Sequence, residues 1–159
     1  MKLAGRAIDA NSSVAANAVE LLSSYGIRHD YILTALGPRP EVLAALQGPY
    51  LSADDAEGYM RTVEISVPRA TKDVLQAYRD VCSRQGAWPR LRQHLESAGP
   101  FVSAVDEAKR LELIGTSLFV GGDFDGAASL ARRALSFRAD DSILLEFLGD
   151  CLGALGRNE

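Results

Sequence analysis

The chain has 159 residues, 47% of them hydrophobic and 24% charged, with a formal net charge of −4. That length and apolar content suit one domain or one repeat array around a continuous core, and the mild acidity argues against bulk electrostatic binding to nucleic acid or anionic lipid. Cys82 and Cys151 stand too far apart to suggest a disulfide framework, and Arg6 and Asp9 interrupt the N-terminal apolar residues before a signal peptide or membrane span can form, so the expected location is cytoplasmic.

In chain order, Val14, Ala18, Leu21, Leu22 and Tyr25 recur at helical spacing, with Ser12 or Ser13 as a cap and Gly26 as a stop. A short helix over Asp30–Leu36 follows and ends before Gly37-Pro38-Arg39-Pro40, because proline removes a backbone donor and restricts the residue before it. Glu41–Gln47 reads as another helix, closed by Gly48-Pro49. Ser52-Ala53-Asp54-Asp55 opens the next, which is expected to reach Tyr59 and Met60. Val63–Val67 alternates as a half-buried strand would, but a lone five-residue strand has nothing obvious to pair with, so an extended or helical linker is the preferred reading.

From Thr71 onward the pattern is clearer. Helices are expected over Thr71–Gln85, Trp88–Ala98 with Pro89 in the first turn, Ala104–Val120, Asp125–Phe137 and Ser142–Leu155. Gly86, Gly122 and Gly156 punctuate them at separations of thirty-six and thirty-four residues, the period of a helical-hairpin array.

Leu111-x-x-Ile114-Gly115-x-x-Leu118, Gly122-Asp123-Phe124, Ala127-x-x-x-Ala131 and Ala134-Leu135 together resemble the tetratricopeptide repeat. Leu145-x-x-Leu148-Gly149-x-x-Leu152 begins a second copy that stops at half a repeat. Leu75-x-x-Tyr78-Arg79-x-x-Cys82 with Gly86, Trp88, Leu91, Leu95 and Ala98 is a degenerate copy, with Arg79 and Leu91 where small residues belong. Ala139 stands where the family has proline, and before Thr71 only Ala7–Asn11 faintly looks like the end of a repeat. The resemblance implies an all-α, right-handed stack of antiparallel helix hairpins, a TPR-like α-solenoid. Residues 1–70 would be a divergent N-terminal helical region, with repeats at 71–104, 108–141 and 142–159.

In such a stack the first helix of each hairpin lines a concave groove. The resemblance places Asp73, Gln76, Asp80 and Ser83 there, then Lys109, Glu112, Thr116 and Phe119, then Ile143, Glu146 and Asp150. Five of these eleven are acidic and one is basic, which suits a protein or peptide partner with a basic or amphipathic segment. The same charges also suit ordinary solvated helix faces. Glu112, Thr116, Glu146 and Asp150 replace the lysine and asparagine with which some members hold a terminal carboxylate, so that activity is not expected.

No catalytic group, cofactor or metal site is expected. His29 and His94 lack further ligands at metal spacing, and Gly121–Gly126 is a hairpin turn without the acidic positions of a calcium loop. Trp88 with Arg84, Arg90 and Arg92 is a small basic cluster at a turn, the one feature that would suit an acidic ligand. The reading is therefore a non-catalytic adaptor, scaffold or chaperone-like module. The alternatives are a regulatory or substrate-recruiting domain of a larger enzyme such as a transferase, and a homodimer that covers the apolar half repeat.

Overall fold

The structure is a computed structural model that describes residues 12–37, 39, 41–43, 45–46, 50, 55–66 and 71–156. Among these residues all regular secondary structure is helical: α1 (Ser12–Ser24), α2 (His29–Leu36), α3 (Ala56–Ser66), α4 (Lys72–Arg84), α5 (Trp88–Ser97), α6 (Ala104–Val120), α7 (Phe124–Leu135) and α8 (Ser142–Ala154). Positions 41–43 and 45–46 are helical as well. The chain divides into two compact units, Met1–Val81 and Cys82–Glu159, with the border inside α4. The expected features at Ala7–Asn11, Gln47–Pro49, Ser52–Asp54 and Val67–Pro68, and the capping side chains of Ser12 and Ser13, lie outside the described residues.

In the first unit, α1 closes through Gly26, whose positive φ of 71° lets the Ile27 N–H turn back to the Leu22 carbonyl at 3.2 Å. The helix after Asp55 differs from the expected one in length. Asp55 Oδ1 accepts from the Gly58 N–H at 2.8 Å, and the helix then continues past Met60 to Ser66, so Val63 and Glu64 are helical where a strand was one reading. Burial explains the choice. Tyr59, Met60 and Val63 form an i, i+1, i+4 stripe with exposures of 0, 4 and 0%, whereas a strand would turn every second residue outward. The Tyr78 hydroxyl donates to Glu64 Oε1 at 2.9 Å and so ties α4 to α3.

In the second unit, consecutive helices run antiparallel. Ser117 Oγ donates to the Trp88 carbonyl at one end of α5, and Arg110 donates to the Leu95 carbonyl at the other. On α7, Phe124 stacks edge-on with Phe119 at 5.1 Å and Ala134 packs with Leu111, which fixes the α6–α7 hairpin. Cys151 packs on Ala127 and Ala128 while Leu144 packs on Ala134, which fixes α8 against α7. Leu144 also meets Leu111, and Phe147 lies near Phe119 at 6.0 Å, so α8 runs beside α6 in the same direction.

The turns follow from local chemistry. At Gly122 the φ is 85°, a left-handed value that costs glycine little, and the Asp123 N–H reaches the Leu118 carbonyl at 2.9 Å. Asp123 then caps α7 by accepting from the Gly126 N–H at 2.9 Å, so the acidic turn that superficially suggests a cation loop is engaged in capping. Asp141 caps α8 through the N–H groups of Ile143 and Leu144.

One buried polar cluster holds α6 in place. Glu107 and Arg110, 2% and 6% exposed, form a two-pronged pair with N–O distances of 2.7 and 2.9 Å. Glu107 also accepts from the Phe101 N–H at 2.8 Å, and Arg110 spends a third donor on the Leu95 carbonyl at 2.8 Å. The pair thus satisfies the end of α5 and the loop leading into α6, where burial would otherwise leave backbone groups unmet. Burial alone would raise the Glu107 carboxyl. The hydrogen bonds from Arg110 and Phe101 and the charges of Arg110 and Arg133 outweigh it, so the carboxyl sits below its ordinary value.

Candidate partner-binding surface

The expected groove residues fall in both units. Asp73, Gln76 and Asp80 lie on the part of α4 that belongs to the first, where Asp73 is exposed and Asp80 Oδ1 accepts from Gln76 Nε2 at 3.0 Å and from Arg79 at 3.1 Å. Ser83, exposed, lies just beyond the border. The remaining seven lie on α6 and α8.

On α6 the row is half-buried and largely engaged with itself. Lys109 Nζ meets Glu112 Oε1 at 2.7 Å with both side chains under one-fifth exposed, so their charges cancel locally. Thr116 donates to the Glu112 carbonyl at 2.9 Å. Phe119 fills the corner between Phe124 and Phe147 and contributes to the packed interior more than to an open surface. On α8 the row is open. Ile143 is 62% exposed, and Glu146 and Asp150 are exposed with no ion-pair partner among the described residues. The α8 sequence carries no lysine or arginine. The acid excess expected for the whole groove is therefore concentrated on α8 in the second unit.

Sequence reasoning anticipated an apolar half repeat in need of cover on α8, but not which of its residues stay open. Leu145 is 51% exposed, and neither Gly149 nor Gly153 would bring an added Cβ within 4 Å of anything. The signal was present in the recurrence of the α6 pattern, but that pattern marks positions suited to close packing and not whether a neighbour arrives. The Glu107–Arg110 pair, by contrast, was not anticipated. Its only trace in the sequence is an acid and a base three residues apart, a spacing common on solvated helices.

The groups considered for chemistry have structural surroundings. The His29 ring stacks edge-on against Tyr50 at 4.5 Å beside a cavity of about 550 Å³, and the Tyr50 hydroxyl shares a 3.0 Å hydrogen bond with Thr62. Burial, only partly offset by Thr62 and reinforced by Asp55 and Asp30, pushes the Tyr50 phenol up. Burial and the neighbouring Asp150 likewise push the Cys151 thiol up, which disfavours the reactive thiolate, and Cys82 is buried too. Trp88 opens α5 with Pro89 behind it and its carbonyl taken by Ser117, while Arg92 approaches Glu96 at 4.0 Å. Among the described residues no cluster of three or more metal-ligating side chains occurs, and no helix is long and apolar enough to cross a membrane. The sequence matches no protein-family model and no curated protein.

Proposed function

We propose that the second half of the chain is a tetratricopeptide-like array and that the protein is a cytoplasmic, non-catalytic module that binds a protein or peptide bearing a basic segment. The observation that carries this reading is the open row on α8, a helix without lysine or arginine, in which exposed Ile143 shares a face with exposed Glu146 and Asp150. An apolar contact supplies affinity once water is displaced, and the carboxylates select the charge of what approaches. The repeat reading is supported by the positive-φ glycines Gly86, Gly122 and Gly156, the tight α6–α7 approach at Gly115 and Ala127, and the Phe124 corner.

The test is affinity capture from lysate with the full chain as bait, washed at low and high salt, beside the Glu146→Lys/Asp150→Lys double variant. The expected result is salt-sensitive capture of a protein with a basic segment, lost in the variant while circular dichroism stays helical. Equal capture by the variant retires the reading.

A further inference from the structure

The pattern Leu111-x-x-Ile114-Gly115-x-x-Leu118 of α6 recurs in α8 as Leu145-x-x-Leu148-Gly149-x-x-Leu152. In α6 this side of the helix is covered. Leu111 is 1% exposed, and a Cβ on Gly115 would lie 3.5 Å from both the Ala127 carbonyl and the Leu130 Cβ of α7. In α8 the corresponding side is open at Leu145, 51% exposed, and over Gly149, which has free space around it, while Leu148 packs toward Ala127 and Ala128 and Leu152 is buried.

We infer that this side of α8 is a docking site for a helix of another protein, one that presents small and leucine-like residues to Leu145 and Gly149 and lysine or arginine along one edge. The apolar requirement comes from Leu145 and from the clearance over Gly149, which admits a helix at the distance α7 keeps from α6. The charge requirement comes from Glu146 and Asp150, which follow Leu145 and Gly149 by one residue and so border this side on one edge. A second copy of α8 fits poorly, because its own acids would oppose these and α8 offers no cation to either. The inference deepens the proposed function: it rests on the same acidic charge but specifies a helix and places it against Leu145 and Gly149, away from Ile143.

The experiment titrates the full chain into fluorescently labelled helical peptides of about 18 residues, long enough to hold a helix in isolation. One carries an alanine–leucine stripe edged by lysines, and the other has glutamates in place of those lysines. The expected result is binding of the lysine-edged peptide, at least about tenfold weaker binding of its glutamate counterpart, and a similar loss in Gly149→Leu. Gly149→Leu points its side chain into open space, so its helical content is expected to match that of the parent. Ile143→Ser separates the two readings: a loss there with none in Gly149→Leu keeps the groove and overturns this inference, whereas the reverse keeps the inference and removes the groove. Failure of the lysine-edged peptide to bind, equal binding of both peptides, or a dimer of the chain alone that Gly149→Leu dissolves would each overturn it.

Discussion

Glycine occupies the same register in α6 and α8, thirty-four residues apart, and its two copies sit in opposite surroundings. At Gly115 an added Cβ would meet the Phe147 ring at 3.1 Å and the backbone of α7 just beyond, while at Gly149 it would meet nothing within 4 Å. The neighbouring leucines differ in the same sense, Leu111 being buried and Leu145 half exposed. Equal sequence pattern therefore does not mean equal environment. What separates the helices is the neighbours that arrive on them, since α6 is held by α5, α7 and α8 and α8 by α6 and α7.

The sharpest break of that comparison is at the buried pair in α6. Glu107→Ala leaves Arg110 charged, buried and short of its partner, so it is expected to lose about 3–5 kcal/mol in urea denaturation. The same carboxyl sets a pH dependence. Its folded-state pKa lies below the unfolded value, so its contribution is complete above the ordinary carboxylate range and is lost as pH falls through the folded value. Glu107→Gln is therefore expected to flatten the acid limb of the stability curve, measured by melting between neutral and acid pH.

Next in size is Gly115→Leu. The new side chain must displace Phe147 and the α7 backbone, which costs about 1–3 kcal/mol and lowers the melting temperature by several degrees. No change would mean that α6 and α7 do not meet at this glycine. Smaller again is Asp141→Ala, which removes the cap of α8 and its ion pair with Arg138, expected to cost about 0.5–2 kcal/mol by calorimetry. The smallest effect has the opposite sign. Gly149→Ala adds a methyl in open helix and is expected to stabilise the chain by about 0.5–1 kcal/mol, whereas destabilisation there would mean that the face is already covered.

Much of the second unit was legible because its signals are local. Gly122 can adopt a positive φ cheaply, Asp123 and Asp141 reach their own helix N-termini, and Pro89 suits a first turn, so the helix limits from Trp88 to Ala154 fall within about two residues of expectation. The first unit was less legible. Val63 and Ile65 alternate as a strand does, and only the burial of Tyr59, Met60 and Val63 on one stripe shows that the helix continues. In the candidate site, residue types were legible but their state was not. Lys109 and Glu112 neutralise each other and Phe119 turns into a corner, which leaves the open charge of the second unit's row on α8.

The sequence by itself determined the helical class, the period, the turns and the chemistry available on each helix face, because these depend on residues a few positions apart. Only the tertiary structure decided which residues of two like faces stay open, which acids are neutralised and where Glu107 and Arg110 anchor α5 to α6. Those outcomes depend on groups brought together from distant positions, and neither burial nor electrostatics is fixed until the neighbours are in place.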